Sequence, residues 1–203
     1  MINTLLMTTW LCLPIAPLNP VDEDTLAATS FHFMGGVSSP NGIVSMGPVM
    51  SIKYEMLIVH PFVTRTTLDF AYNKVESTLF PRGDLYTMSY GVDAVYYRGT
   101  NHLTAYLGFG LLYAFHQFDP SASVADSLYA AEGVTEVALK QKLGFRLILG
   151  LRYHRSYSME ISVVEMRPDF KKTGSQGVGR ESRQYQPTRT GSFRLSFGYV
   201  IEI

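Results

Sequence analysis

From Leu103 to Phe115 the chain alternates with a period of two. Leu103, Ala105, Leu107, Phe109, Leu111, Tyr113 and Phe115 interleave with Thr104, Tyr106, Gly108, Gly110, Leu112 and Ala114. Successive side chains of a strand point to opposite faces, so this segment has one apolar wall and one small or mixed wall. The same pattern recurs. Val137, Leu139, Leu143, Phe145, Leu147, Leu149 and Leu151 share a face, broken only by Gln141, and oppose Lys140, Lys142, Gly144, Arg146, Gly150 and Arg152. Phe193, Leu195, Phe197, Tyr199, Ile201 and Ile203 oppose Ser192, Arg194, Ser196, Gly198 and Glu202. Met50, Ile52, Tyr54 and Met56 oppose Ser51, Lys53 and Glu55, and Phe62, Leu68, Phe70 and Tyr72 oppose Arg65, Thr67, Asp69 and Asn73. Met88, Tyr90, Val92, Ala94 and Tyr96 oppose Ser89, Gly91 and Asp93; Tyr157, Met159, Ile161 and Val163 oppose Ser158, Glu160 and Ser162.

A soluble barrel turns its large apolar face inward; a membrane barrel turns it outward. Two features favour the second arrangement. Several segments have the length a tilted strand needs to cross a bilayer. Their polar faces space single charges with Gly, Ser and Ala, as a crowded interior requires. Charged residues make up only 17% of the chain and aromatics 13%, which suits a surface that meets lipid. The net charge of zero gives no field for nucleic acid. A single cysteine, Cys12, excludes a disulfide within the chain.

The pattern predicts eight strands, over 26–36, 44–56, 61–73, 85–97, 102–117, 136–152, 157–167 and 191–203. The first is interrupted by Ser30 and His32, and Pro48 removes a ladder donor, so a bulge is expected there. Short turns near Leu57–His60, Arg98–His102 and His154–Ser156 alternate with long segments over Lys74–Asp84, Asp119–Thr135 and Asp169–Thr190, and only the first link, Ser38–Ile43, is short on the long-loop side. This asymmetry is usual in outer-membrane barrels, with the short turns periplasmic. Unpaired backbone groups are too costly in hydrocarbon to leave an open edge, so the first and last strands are expected to pair. Residues 1–20 read as a signal peptide or apolar N-terminal segment, with Leu5, Leu6, Met7, Trp10, Leu11, Leu13 and Ile15 resembling an h-region. Residues 21–203 read as one barrel domain. No other stretch is apolar enough for a spanning helix.

Over residues 26–203 the chain resembles the small outer-membrane β-barrel superfamily of OmpA-, OmpX- and OmpW-type barrels. The best local element is the C-terminal strand Ser192-Phe-Arg-Leu-Ser-Phe-Gly-Tyr-Val-Ile-Glu-Ile203. It resembles the signal read by the barrel-assembly machinery, although the family usually ends in Phe and this chain in Ile203. The resemblance implies an all-β, closed, up-and-down antiparallel barrel in the bacterial outer membrane, with membrane lipid and lipopolysaccharide as surroundings.

With the apolar face outward, Lys53, Glu55, Arg65, Asp69, Asp93, Lys140, Lys142, Arg146, Arg152, Glu160, Arg194 and Glu202 point inward. Unpaired charges there are costly, so an ion-pair network is expected. An eight-strand barrel is just wide enough for side chains to fill, which predicts a plugged, polar interior; a narrow proton or ion path is the alternative.

No catalytic residue is expected. His154-Arg155-Ser156 resembles the His–Ser pair of lipid A deacylases built on this barrel, but it lies at a short turn. The corresponding end of strand seven, Val164-Glu165-Met166-Arg167-Pro168-Asp169, lacks the His-x-Ser-Asn element. His32, His60, His102 and His116 show no metal-ligand spacing, and no metal or cofactor is expected. The glycines at 174, 177 and 179 fall in a loop, without the strand-to-helix context of a phosphate cradle. Lys171, Lys172, Arg180, Arg183 and Arg189 face only Glu181 within 170–190, and Arg suits phosphate recognition, so this loop is a candidate lipopolysaccharide contact. Three functional readings follow: a non-enzymatic barrel acting in envelope integrity, adhesion or surface interaction; a narrow channel for small or hydrophobic solutes, as OmpW-type barrels imply; and a soluble lipocalin-like ligand-binding barrel.

Overall fold

The computed structural model describes residues 26–40, 45–75, 82–100, 102–122, 126, 134–139, 142–166, 170–174 and 190–203. The N-terminal segment 1–20 lies outside them, as do Lys140, Arg180, Arg183 and Arg189. Among the described residues there are ten strands: β1 (Thr29–Pro40), β2 (Gly47–Val59), β3 (Phe62–Val75), β4 (Gly83–Gly99), β5 (Leu103–Pro120), β6 (Val134–Leu139), β7 (Lys142–Tyr153), β8 (Tyr157–Met166), β9 (Phe170–Gly174) and β10 (Thr190–Glu202). Eight of them close into one antiparallel ring in the order β1-β10-β8-β7-β5-β4-β3-β2. Closure runs from Ser30 opposite Glu202 to Pro40 opposite Ser192. Every backbone edge of the ring thereby finds a partner, the condition a sheet must meet to stand in hydrocarbon.

The barrel is greasy outside and polar inside. Leu107, Phe145, Leu147 and Phe197 are exposed by 59, 41, 50 and 55%, whereas Arg146 and Arg194 are only 2 and 4% exposed. Tyr153, Tyr157, Tyr199, Tyr96 and Phe62 lie exposed near the short-turn end, and Tyr86, Tyr90, Tyr113 and Phe115 toward the other, flanking an apolar band of Leu, Val, Ile and Phe that includes Leu107, Phe109, Phe145 and Leu147. Such paired aromatic girdles mark the two interfaces of a bilayer-spanning barrel. Among the described residues no helix is long and apolar enough to cross a membrane. The crossing elements are strands of ten to eighteen residues.

The short turns all lie at one end. They join β2 to β3 at 60–61, β4 to β5 at 100–102 and β7 to β8 at 154–156. The C-terminus is at the same end, where Ile203 N–H donates to the Thr29 carbonyl at 3.1 Å.

Three expectations are corrected. Pro48 produces no bulge: it stands opposite Val37 in an unbroken β1–β2 ladder, and the β2–β3 ladder begins only at Val49. Position two of a strand tolerates proline because little of the ladder precedes it. The register shift of β2 lies instead between Leu57 and Val59, beside the turn. The segment 136–152 is two strands rather than one. β7 continues in the ring, but β6 pairs with β9 in a separate two-stranded sheet at the long-loop end. A chain running past the ring needs a new partner for its backbone, and the segment leaving β8 supplies it. Ser30 and His32, which break the apolar pattern of β1, are lumen residues and do not interrupt the strand.

Candidate functional site

The lumen gathers the chain's buried charge. Each inward side chain is placed by strand parity, and its depth by register. Three clusters result.

The first centres on Arg65 of β3. Its Nη1 donates to Glu160 Oε2 at 2.7 Å and its Nε to Glu55 Oε1 at 2.7 Å. β3 and β8 stand four places apart on the eight-strand ring, so the Arg65–Glu160 contact joins opposite walls. Lys53 Nζ lies 2.5 Å from Glu160 Oε1. Tyr97 donates to Glu55 Oε1 at 2.7 Å, and Tyr106 donates to Glu160 Oε2 at 3.2 Å while lying 2.8 Å from Ser158 Oγ. The Arg65 guanidinium also sits 4.8 Å from the centroid of the Tyr106 ring, a cation–π distance. His32 Nε2 is 2.9 Å from Glu55 Oε2.

The second cluster centres on Arg146 of β7. It grips Asp93 with two nitrogens, Nη2 to Oδ2 at 2.6 Å and Nε to Oδ1 at 3.2 Å, and reaches Asp69 Oδ2 with Nη1 at 2.8 Å. Arg194 of β10 donates to the same Asp69 oxygen at 2.8 Å. Ser51, Ser89 and Thr67 donate to these two carboxylates. The third cluster lies at the short-turn end, where Arg152 Nη2 donates to Glu202 Oε1 at 2.9 Å.

Of the twelve charged residues placed inside by sequence, these clusters join ten: Lys53, Arg65, Arg146, Arg152 and Arg194 with Glu55, Asp69, Asp93, Glu160 and Glu202. Five basic side chains thus meet five carboxyl groups. Lys140 lies outside the described residues, and Lys142 is placed by its backbone opposite Ala114. Lys171 and Lys172 fall on β9, opposite Ala138 and Val137. Sequence reasoning missed Tyr97, Tyr106 and His32 as members of the network. Parity held the signal: Tyr97 shares its face with Asp93, Tyr106 opposes the apolar face of β5, and His32 alternates with Phe31 and Phe33.

This arrangement fixes charge. Each carboxylate of the first two clusters accepts from a guanidinium or ammonium group. His154 lies on a turn, and its ring meets His102 and Tyr153. Among the described residues no group of three or more His, Cys, Asp or Glu is arranged to hold a metal. Among the described residues a few buried polar atoms find no partner: His32 Nδ1, His60 Nε2, His116 Nε2, Ser192 Oγ and Arg194 Nε.

The sequence matches no protein-family profile and no curated protein. Solved structures do match. The fold is similar to that of the outer membrane protein OprG from Pseudomonas aeruginosa, with a TM-score of 0.63 and 16% identity over 90% of this chain and all of that one. It is also similar to Neisserial surface protein A, with a TM-score of 0.51 and 16% identity over 86% of this chain and 96% of that one. At these identities the likeness concerns fold. The chain has the fold of the small eight-stranded outer-membrane β-barrels, a closed antiparallel meander with an apolar wall outside and buried charged side chains inside.

Proposed function

We propose that the protein is an integral outer-membrane barrel with a structural or surface-interaction role, including adhesion, and no catalytic activity. The observation that carries this reading is the Arg65–Glu160 contact, which ties opposite walls of the lumen together under a belt of exposed Leu, Phe and Tyr. A lumen crossed by paired side chains suits a static barrel better than a conduit. Function then falls to the loops of the far end, where recognition concentrates on a rigid scaffold. The His154-Arg155-Ser156 fragment sits at the short-turn end, away from the outer leaflet, which argues against a deacylase role.

Within this reading the basic segment 170–190 contacts lipopolysaccharide phosphates. Lys171, Lys172, Arg180, Arg183 and Arg189 face one acidic residue there, and guanidinium groups bind phosphate bidentately. The barrel-assembly machinery is the partner during insertion, by way of the alternating C-terminal strand. Planar-bilayer recording tests the static interior: the purified protein gives no steady openings, and discrete, sustained conductance would replace this reading with the narrow-channel one. Neutralising the five basic loop residues tests the lipid contact; unchanged lipopolysaccharide binding would reject it.

A further inference from the structure

The β5–β7 ladder ends on Leu103 opposite Tyr153 at the short-turn rim. One step beyond, His154 N–H donates to the His102 carbonyl at 3.0 Å, so the two histidines continue the ladder as a cross-strand pair. Side chains of such a pair stand close enough to share a ligand. Their rings meet edge to face with centroids 5.0 Å apart, and the two Nδ1 atoms are 3.5 Å apart. Both residues are exposed.

That separation is long for a nitrogen hydrogen bond, whose usual range ends near 3.2 Å. It suits a chelate. Two imidazole nitrogens bound at about 2.0–2.1 Å to one tetrahedral ion lie roughly 3.3 Å from each other. His154 and Arg155 have φ of 47° and 59°, a left-handed region where a turn ordinarily places Asn or Gly. The Tyr153 ring meets the His154 ring edge to face, with centroids 4.2 Å apart. A non-glycine residue kept at positive φ is a reason to look for function.

We propose that His102 and His154 form a two-imidazole site for a divalent transition-metal ion of the zinc class, bridging the β4–β5 and β7–β8 turns through both Nδ1 atoms. The remaining coordination positions are open to water or to a group presented from outside the barrel. Imidazole is a preferred ligand for zinc, copper and nickel, whereas calcium and magnesium favour oxygen, so the site discriminates between these classes. The ion would clip two neighbouring turns at the end where the chain terminates.

The test uses the refolded, untagged protein in detergent, with zinc chloride as probe. Calorimetry should give one saturable site per chain. His102→Ala and His154→Asn should each weaken binding by at least about tenfold, since each removes one arm of the chelate. Asn retains the left-handed backbone, so its effect reports the lost ligand and not a rebuilt turn. In the wild-type protein, zinc should move the imidazole NMR signals of His102 and His154 and spare those of His32, His60 and His116. Absence of saturable binding, binding unchanged in either variant, or shifts centred on the other three histidines would overturn the site.

Discussion

The Arg65 guanidinium and the Glu160 carboxylate meet at 2.7 Å from strands that stand as far apart as an eight-strand ring permits. Both side chains are buried, and each has further partners: Glu55 and Tyr97 for Arg65, Lys53 and Tyr106 for Glu160. This one contact therefore links both sides of the lumen wall through a continuous set of charged hydrogen bonds.

Removing Arg65 should be severe. Arg65→Met leaves Glu55 and Glu160 without their central cation, and breaking a buried pair in this way costs about 3–5 kcal/mol. Replacing all four charges of the cluster, as Lys53→Met, Glu55→Gln, Arg65→Met and Glu160→Gln, should recover much of that loss, because Lys53, which pairs with Glu160, is then not stranded either. Urea midpoints of the refolded variants in lipid vesicles check the ordering. A quadruple variant less stable than the single one would show that charge stranding is not the main cost.

The glycines give a test of how tightly the lumen is filled. A Cβ at Gly110 would meet the Asp93 carboxylate that holds Arg146, and one at Gly150 would meet the ring of Tyr106. At Gly35, on the outer face, it would meet nothing within 4 Å. Overpacking typically costs about 1–3 kcal/mol, so Gly110→Ala and Gly150→Ala should destabilise the barrel by that order. Gly35→Ala should be neutral or slightly stabilising. Equal effects at all three positions would contradict the filled interior.

The outward face has its own signature. Leu147 lies near the middle of β7 and is exposed, so Leu147→Arg should cost about 2–4 kcal/mol in a bilayer. Tyr153→Arg, at the rim of the same strand, should cost only about 0–1 kcal/mol. Folding equilibria in vesicles measure both. A depth-independent cost would argue against a lipid-facing wall.

A sealed ring of this kind should also resist detergent. Unheated samples should migrate as a compact species in detergent gels and shift to the unfolded position after boiling. The same protein should partition with membranes and need detergent for extraction. Release into the aqueous phase without detergent would favour the soluble, lipocalin-like reading.

Parity carried most of what was legible in the linear chain. A strand allows its side chains only two directions, so once Leu107, Phe145 and Phe197 are assigned outward, Arg146 and Arg194 follow inward without further information. The eight strands of the ring, the three short turns and closure follow from the same regularity together with the cost of an unpaired edge. The boundary between β6 and β7 did not follow, because alternation continues across 136–152 while the pairing partner changes from the ring to β9. Backbone partnership is a non-local property that a period within one segment cannot report.

Which charges meet was likewise decided only in three dimensions. Arg146 could have paired with any inward carboxylate. Register and the shear of the closed ring bring it to Asp93 and Asp69, 53 and 77 residues away. His102 and His154 are 52 residues apart, and they become neighbours only because β5 and β7 end at the same rim. Sequence sets the direction of each side chain, since that depends on the local backbone. Depth and partner depend on how the strands are staggered around the ring, and that stagger belongs to the closed structure alone.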